Sequence, residues 1–590
     1  MPALVLAALL VLAPAPPAAA QDTDSAAALA AFRGNIAAIH ARDRAAYLSH
    51  YLRSPRLVRV GPAGVQHGYQ ALAGAPADSW PDTLVASHFQ VTPLAPGVVY
   101  GAYRYRVATG GDSERGVSER VLVRTPEGWR VAVTTAFAAD PTLAPPPFAL
   151  VGATLVDGTG AAPVADAVVV MRDGRIECAG ARAACPVPAD ADTVDARGRW
   201  IIPGLVDAHV HYSQTGWADG RPDALDVRER FPYAETVRAL EARPERFFRS
   251  HLCAGVTATF DVGGYPWTWD LRQRAETSTS APHVAAAGPL LSSRDHWVNV
   301  PGERQFIPME GDSATRAGAA YLVANETDAI KVWFLHGESS PGATEAAELL
   351  AMIGEEARAA GRPLIVHATG LWQAKQALRA GATLLVHSVY DVPIDEEFLD
   401  LMRRSGAVIT PTLTVFRGYQ QLRERSFDAA AVPLACVDPE TRAKAFLTDS
   451  LPGRPTSDEV ARLRAAAERR YQLMLDNLAR IHQAGLPIAM GTDAGNPLTL
   501  HGPSISAELE AMEEAGLTPM EVLVAATRNG ARAMGRVAEL GSVESGKVAD
   551  LVVLDADPTM SAANLRRVAL VVRRGEIWTR EELEYPDGQR

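Results

Sequence analysis

The stretch Ile201 to Tyr212 reads Ile-Ile-Pro-Gly-Leu-Val-Asp-Ala-His-Val-His-Tyr and ends in two histidines, His209 and His211, with one residue between them. Side chains two apart on a strand share a face, so both imidazoles aim one way, as metal ligands at a strand's carboxyl end do. Alone, the pair is equally an incidental one on a half-buried strand. Further polar residues stand where later apolar runs pass or stop. Lys331 lies inside Ala329 to Phe334, His367 ends Leu364-Ile365-Val366, His387 ends Leu384-Leu385-Val386, and Asp493 ends Ala489-Met490-Gly491-Thr492. Each has a structural alternative, a hydrogen-bonded core histidine or a lysine that snorkels outward. Coincidence at so many strand ends favours a shared metal site.

The elements that would position these residues lie between Ile201 and Arg536, where apolar strand-like runs alternate with amphipathic helices. After the His-x-His run come 256–262, 283–291, 329–335, 363–368, 382–389, 407–415 and 487–492. Eight such alternations predict an α/β fold, a (β/α)8 TIM-like barrel over 201–536, with functional residues at the carboxyl ends of its strands. A doubly wound open sheet is the runner-up, but no Gly-rich dinucleotide turn supports it. The polar stretch Arg417 to Glu468 is expected to be a helical insertion over the active-site face. Residues 148–200 and 537–580 read as short strands with tight turns, among them Asp173-Gly174, and predict a discontinuous β-sandwich domain closed by the two ends of the chain around the barrel. Residues 22–140 open with a helix carrying Phe32, Ile36 and Ile39 and continue as strands at 57–60, 98–107, 119–124 and 129–137, an α+β domain. A Pro-rich spacer, 141–147, separates it from the rest.

With 590 residues and 47% hydrophobic content, the chain can build several cores. Its net charge of −12 and pI of about 5.7 remove the electrostatic basis for binding nucleic acid or anionic membranes, so a small-molecule partner is expected. Leu4 to Leu12 form a short apolar core, and Ala18-Ala19-Ala20 precede Gln21, as in a signal peptide cleaved after Ala20, although Met1 to Ala3 lack Lys or Arg. The product is expected to be exported, periplasmic or secreted, with no membrane span. Four cysteines are too few for a disulfide framework, yet Cys178 and Cys185 are near enough in sequence to pair in an oxidising compartment.

The stretches Val206-Asp207-Ala208-His209-Val210-His211, Ile330-Lys331-Val332, Val366-His367-Ala368, Leu385-Val386-His387-Ser388, Gly491-Thr492-Asp493-Ala494-Gly495 and Gly541 to Leu551 together resemble the amidohydrolase superfamily. Within it they resemble the imidazolonepropionase-related and prolidase-like binuclear branch, over about Phe148 to Trp578. The resemblance implies two divalent metal ions, zinc foremost, with manganese, iron, cobalt or nickel open. His209, His211 and Asp493 would hold the first and His367 and His387 the second, bridged by a carboxylated Lys331. An ammonium cannot sit beside two cations, whereas a neutral buried lysine can add carbon dioxide and become an anion. It also implies a hydroxide shared by the two ions, with Asp493 as the catalytic proton carrier. Residues 22–140 are similar to nuclear-transport-factor-two-like cone domains in their helix, the Gly-rich turn at Gly61 to Gly68 and the closing Glu127-Gly128-Trp129-Arg130-Val131 hairpin. A scaffold or homo-oligomer contact is expected of them, with His40, His50, His67 and His88 as ordinary surface or core residues.

The expected function is hydrolysis of carbon–nitrogen bonds in a small-molecule substrate, a dipeptide or an N-acyl amino acid, outside the cytoplasm. A cyclic amide, imidazolone or lactone is the alternative within the same chemistry. From another class, a non-catalytic ligand-binding protein is the rival, and the intact set of candidate ligands argues against it. Substrate contacts are expected beyond the strand ends, from His336 with Glu338, from Tyr390, or from His501, which is favoured because it follows Asp493 within one loop.

Overall fold

The computed structural model describes residues 18–61, 64–74, 83–109, 112–138, 147–294 and 305–585, and divides into two compact units, Met1–Pro145 and Pro146–Arg590. Residues 1–17 of the expected leader and 141–146 of the expected spacer lie outside the described ones.

In the first unit, the helix Ala18–His40 buries Ala28, Phe32 and Ile36, one turn apart, in a core with Val99, Tyr103, Leu122 and Val131 of a sheet. Phe32 meets Phe89 and Tyr103 edge-on, at 5.2 and 5.3 Å. The long antiparallel pair Val98–Thr109 and Asp112–Thr125 forms the middle of that sheet, followed through a tight turn by Gly128–Thr135. Two further strands carry no alternating signal. Gly64–His67 is exposed throughout, and Thr83–Ala95 is interrupted by Pro93 and by shifts of register against its partner strand.

In the second unit, parallel strands succeed one another in chain order. The first is Leu205–Val210, the second Val256–Asp261, and the third begins at His283–Ala286. That third run, expected to be continuous over 283–291, breaks and resumes as Leu290–Ser292. Gly288 between the pieces has φ 66°, and a Cβ there would lie 2.2 Å from the Trp269 ring, so the close approach bends the chain. The fourth to seventh strands are Ile330–Trp333, Leu364–His367, Leu384–Val386 and Val408–Thr410, each parallel to the one before. The expected eighth strand at 487–492 is represented by isolated parallel bridges, Ile409 to Ile488 and Ala494 back to Val210. Val206, Ala258, Phe260, Ile365, Leu384, Val408 and Ala489 are buried together between the strands and the helices around them.

The two flanking pieces meet where Trp200–Pro203 pairs antiparallel with Leu551–Leu554. Hydrogen bonds unite them in one eight-stranded mixed sheet. Leu150, Val169, Ile201, Val553 and Val572 fill its core. The polar stretch after the seventh strand is helical, with Val415–Glu424, Pro439–Ala445 and Ser457–Gln483 as its main elements. Cys178 is bonded to Cys185, and a second disulfide, unforeseen because its cysteines lie 183 residues apart, joins Cys253 to Cys436. No helix among the described residues is long and apolar enough to cross a membrane.

Candidate metal centre

Every residue of the first strand is buried, so its two faces serve different ends. Val206, Ala208 and Val210 enter apolar cores, and the opposite face carries Asp207 and His209, with His211 just beyond. The Asp207 carboxylate accepts from the Thr492 amide at 3.0 Å, the Thr492 hydroxyl at 2.6 Å and the His209 amide at 3.2 Å. In return the Asp493 amide donates to the His209 carbonyl at 2.8 Å. The first strand is thereby bound to the Gly491-Thr492-Asp493 segment, and Gly491 permits the approach, since a Cβ there would lie 2.8 Å from that of His209. Asp493 and His387 have φ of 63° and 78°, left-handed values that side-chain-bearing residues rarely adopt and that functional sites often retain.

These connections bring the expected ligands together. His209 Nε2 and His211 Nε2 are 3.3 Å apart and lie 3.2 and 3.0 Å from the same Asp493 oxygen, Oδ1. His387 Nδ1 is 3.8 Å from Asp493 Oδ2, and the His387 ring stands 4.9 Å from that of His209 and 4.4 Å from that of His367. His211 Nδ1–H donates to the Gly263 carbonyl at 2.7 Å, which fixes the tautomer and leaves the Nε2 lone pair facing Asp493. Asp261, at the end of the second strand, steadies that contact by accepting from the amides of Gly263 and Tyr212, both at 3.1 Å.

Converging lone pairs of this kind repel one another unless a cation is shared among them. Asp493 Oδ1 and His209 Nδ1 are buried without a hydrogen-bond partner, and His209, His387 and Asp493 each offer a ligand atom within 4.8 Å of the others. Imidazole nitrogens with a carboxylate oxygen suit a divalent transition metal. Burial lowers His209 to about 4 and holds His367 and His387 well below the usual range, which keeps the rings neutral and able to ligate. Buried Lys331 comes down to about 7, so much of it is a free amine near neutral pH.

Residues 200–578 match the amidohydrolase family. The chain belongs to that family. It is 29% identical over 441 residues to the imidazolonepropionase of Methylobacterium sp. (strain 4-46), an alignment that takes in 69% of this chain and 92% of the relative. In three dimensions it is similar to a Xaa-Pro dipeptidase solved with methionine in its active site, at 21% identity and a TM-score of 0.56 over 73% of this chain and 100% of the other. It is also similar to molinate hydrolase, at 23% identity and a TM-score of 0.57 over 76% and 99%. With these neighbours, the parallel strands fit a TIM-barrel-type fold, and this amidohydrolase is a hydrolase acting on carbon–nitrogen bonds of small molecules. The family is usually metal-dependent, in keeping with the ligand group above.

The amidohydrolase centre opens into a cleft of about 330 Å³, lined by His211, Lys331, His367, His387 and Asp493. Tyr390, one of the expected substrate contacts, lines it too. His501 does not. It is buried behind the wall, stacked 3.9 Å from Phe247 with Nε2 donating to the Gln214 carbonyl at 3.0 Å, because the loop after Asp493 folds away from the cleft. His336 and Glu338 also lie off its lining. Sequence reasoning missed Arg221, Tyr419 and Asn496. Asn496 accepts from the Arg221 guanidinium and, at 2.6 Å, from the Tyr419 hydroxyl, while its own amide donates to the Asp493 carbonyl at 3.0 Å. Only the placement of Arg221 ten residues after His211 could have hinted at this brace.

Proposed function

We propose that this amidohydrolase holds two divalent metal ions, zinc foremost, and hydrolyses the amide bond of a dipeptide or N-acyl amino acid. The observation that carries the reading is the convergence of His209 Nε2, His211 Nε2 and Asp493 Oδ1 at a cleft that buried Lys331 also lines, its amine brought down by burial to about 7. His209, His211 and Asp493 would hold one ion, and His367 and His387 the other. Lys331 would bridge them after its amine adds carbon dioxide and loses a proton, becoming a carbamate anion. When bound, such ions lower the pKa of a coordinated water and polarise an amide carbonyl.

The chain's own residues account for the rest. Asp493 takes the proton of the attacking water and delivers it to the departing nitrogen as the carbon–nitrogen bond breaks, leaving a carboxylic acid and an amine. The brace of Arg221, Tyr419 and Asn496 keeps the Asp493 backbone in place during that transfer.

A cyclic amide of the imidazolone kind is the second reading, favoured by the similarity to an imidazolonepropionase; a lactone has no comparable support. The family assignment and the assembled ligands leave no ground for a non-catalytic binding protein. We read residues 1–20 as an export signal and the product as periplasmic or secreted, a reading supported by two disulfides that an oxidising compartment would preserve. The first unit is read as a cone-like scaffold or homo-oligomer contact.

Metal analysis of protein purified without chelators tests the central reading, alongside turnover of dipeptides, N-acyl amino acids and cyclic amides. About two metals per chain are expected, with loss of both metal and turnover in Lys331→Ala and partial recovery on adding a short carboxylic acid. Full activity in that variant would overturn the bridged site.

A further inference from the structure

The helical segment that follows the seventh strand forms one wall of the cleft and brings two arginines to it, Arg423 from Val415–Glu424 and Arg470 from Ser457–Gln483. The carboxylates around them are already engaged. Glu424 is held by Arg464, Glu514 accepts from Tyr471 and faces Arg417, and Asp223 is held by Arg221. Among the described residues neither Arg423 nor Arg470 has an acidic side chain within ion-pair reach or an acceptor for its guanidinium.

Arg470 is nonetheless fixed in place. Its guanidinium carbon lies 4.8 Å from the centre of the Tyr390 ring and 4.9 Å from that of Phe416, and these rings meet edge to face at 5.1 Å. Aromatic faces attract the flat side of a guanidinium and leave its edge, with the N–H donors, free. A half-buried cation pre-oriented in this way, with its donors unspent and an exposed arginine beside it, matches a planar anion.

We propose that Arg470, aided by Arg423 at the cleft mouth, receives the free carboxylate of the substrate and sets specificity for N-acylated amino acids and dipeptides over amides with uncharged ends. This rests on the amide-hydrolase reading above. The scissile amide then lies toward Asp493 and the histidines, and the apolar part of the substrate lies between, against Trp333 and Tyr419.

The test compares N-acetyl-L-phenylalanine with N-acetyl-L-phenylalaninamide on the zinc-loaded full chain. Dissociation constants are taken by calorimetry, and KM and kcat where a probe is turned over. The wild type should favour the acid by about tenfold or more, the scale of a charge-assisted pair of hydrogen bonds. Arg470→Gln should erase that preference through KM with little change in kcat, Arg470→Lys should keep part of it, and Arg423→Gln should reduce it less. Thermal unfolding and metal content verify that the variants are folded and loaded.

An acid preference that survives in Arg470→Gln, or its absence from the wild type, would overturn the proposal. The outcomes also separate this idea from the one beneath it. Turnover of amides without any acid preference leaves the hydrolase and removes the arginine subsite. Acid-selective binding that Arg470→Gln abolishes, with no amide turned over, leaves the subsite and removes the hydrolase reading.

Discussion

Asp207 touches neither the cleft nor a candidate ligand atom, yet it decides where two ligands stand. Its oxygens take the amides of His209 and Thr492 and the Thr492 hydroxyl, so one buried carboxylate sets the spacing between the first strand and Asp493. Asp207→Ala should lower metal affinity by about 10- to 100-fold, the usual cost of losing an outer partner of a metal ligand, whereas Asp207→Asn, which keeps an acceptor, should lose far less. Competition with a metal-sensitive dye measures both, and equal affinities in the two variants would refute the argument. His501 makes the opposite case, a residue with an inviting sequence position and a structural role. Burial brings it down to about 3, against about 6.5 in an unfolded chain. Between those values the unfolded chain binds a proton that the folded one refuses, so this stabilisation is full above pH 6.5 and drains away as pH falls toward 3. His501→Gln retains a donor for the Gln214 carbonyl but cannot titrate. Denaturant unfolding across that window should show its pH dependence reduced by about one proton relative to wild type, with KM unchanged because residue 501 does not line the cleft.

Strands and turns deliver these residues, and Gly491 is the point where they come closest. A Cβ at 491 would press on His209 Cβ at 2.8 Å, Thr410 Cβ at 3.1 Å and the His209 backbone nitrogen at 3.2 Å, all of them parts of strands or their ends that cannot easily move. Gly491→Ala should therefore cut activity by an order of magnitude or more through displacement of His209, while far-ultraviolet dichroism stays that of wild type; normal metal content and turnover would show that the strands yield. The alternation of Asp207, His209 and His211 made the first strand legible, and apolar runs ending in His367, His387 and Asp493 marked three more strand ends, because side-chain period and burial are local properties. What escaped reading depends on distant partners. The break at Gly288 answers to Trp269, Asp207 finds Thr492 only after 285 residues, and the expected eighth strand is represented by isolated bridges, with Asp493 in the left-handed region just past its end. The exposed strand Gly64–His67 has no apolar face to betray it. Cys253 and Cys436 likewise gave no cue, since their bond links the helix Phe248–Cys253 to the insertion that carries Arg423.

At the scale of the whole chain, cohesion is unevenly shared between the two units. The first has its own core around Phe32, Val99 and Leu122, while both disulfides and the whole metal centre belong to the second. Metal ions held among His209, His211, His367, His387 and Asp493 would tie together positions far apart in the chain, and a ligand that binds only the folded form stabilises it in proportion to the logarithm of its free concentration over Kd. Chelation should accordingly lower the unfolding temperature of the second unit and leave that of the first unmoved, so that a calorimetric scan resolves two transitions of which one responds. Reductant should act on the same transition, since opening the Cys253–Cys436 bond frees a loop of 183 residues, worth on the order of 5 kcal/mol in the chain-entropy account. Reconstitution with zinc should restore the chelated transition but not the reduced one, because the ion acts on the strand ends and the disulfide acts on the insertion beside them. A single transition moving as a whole under either reagent would mean that the two units unfold as one cooperative body, and that the first draws its stability from the metal centre of the second.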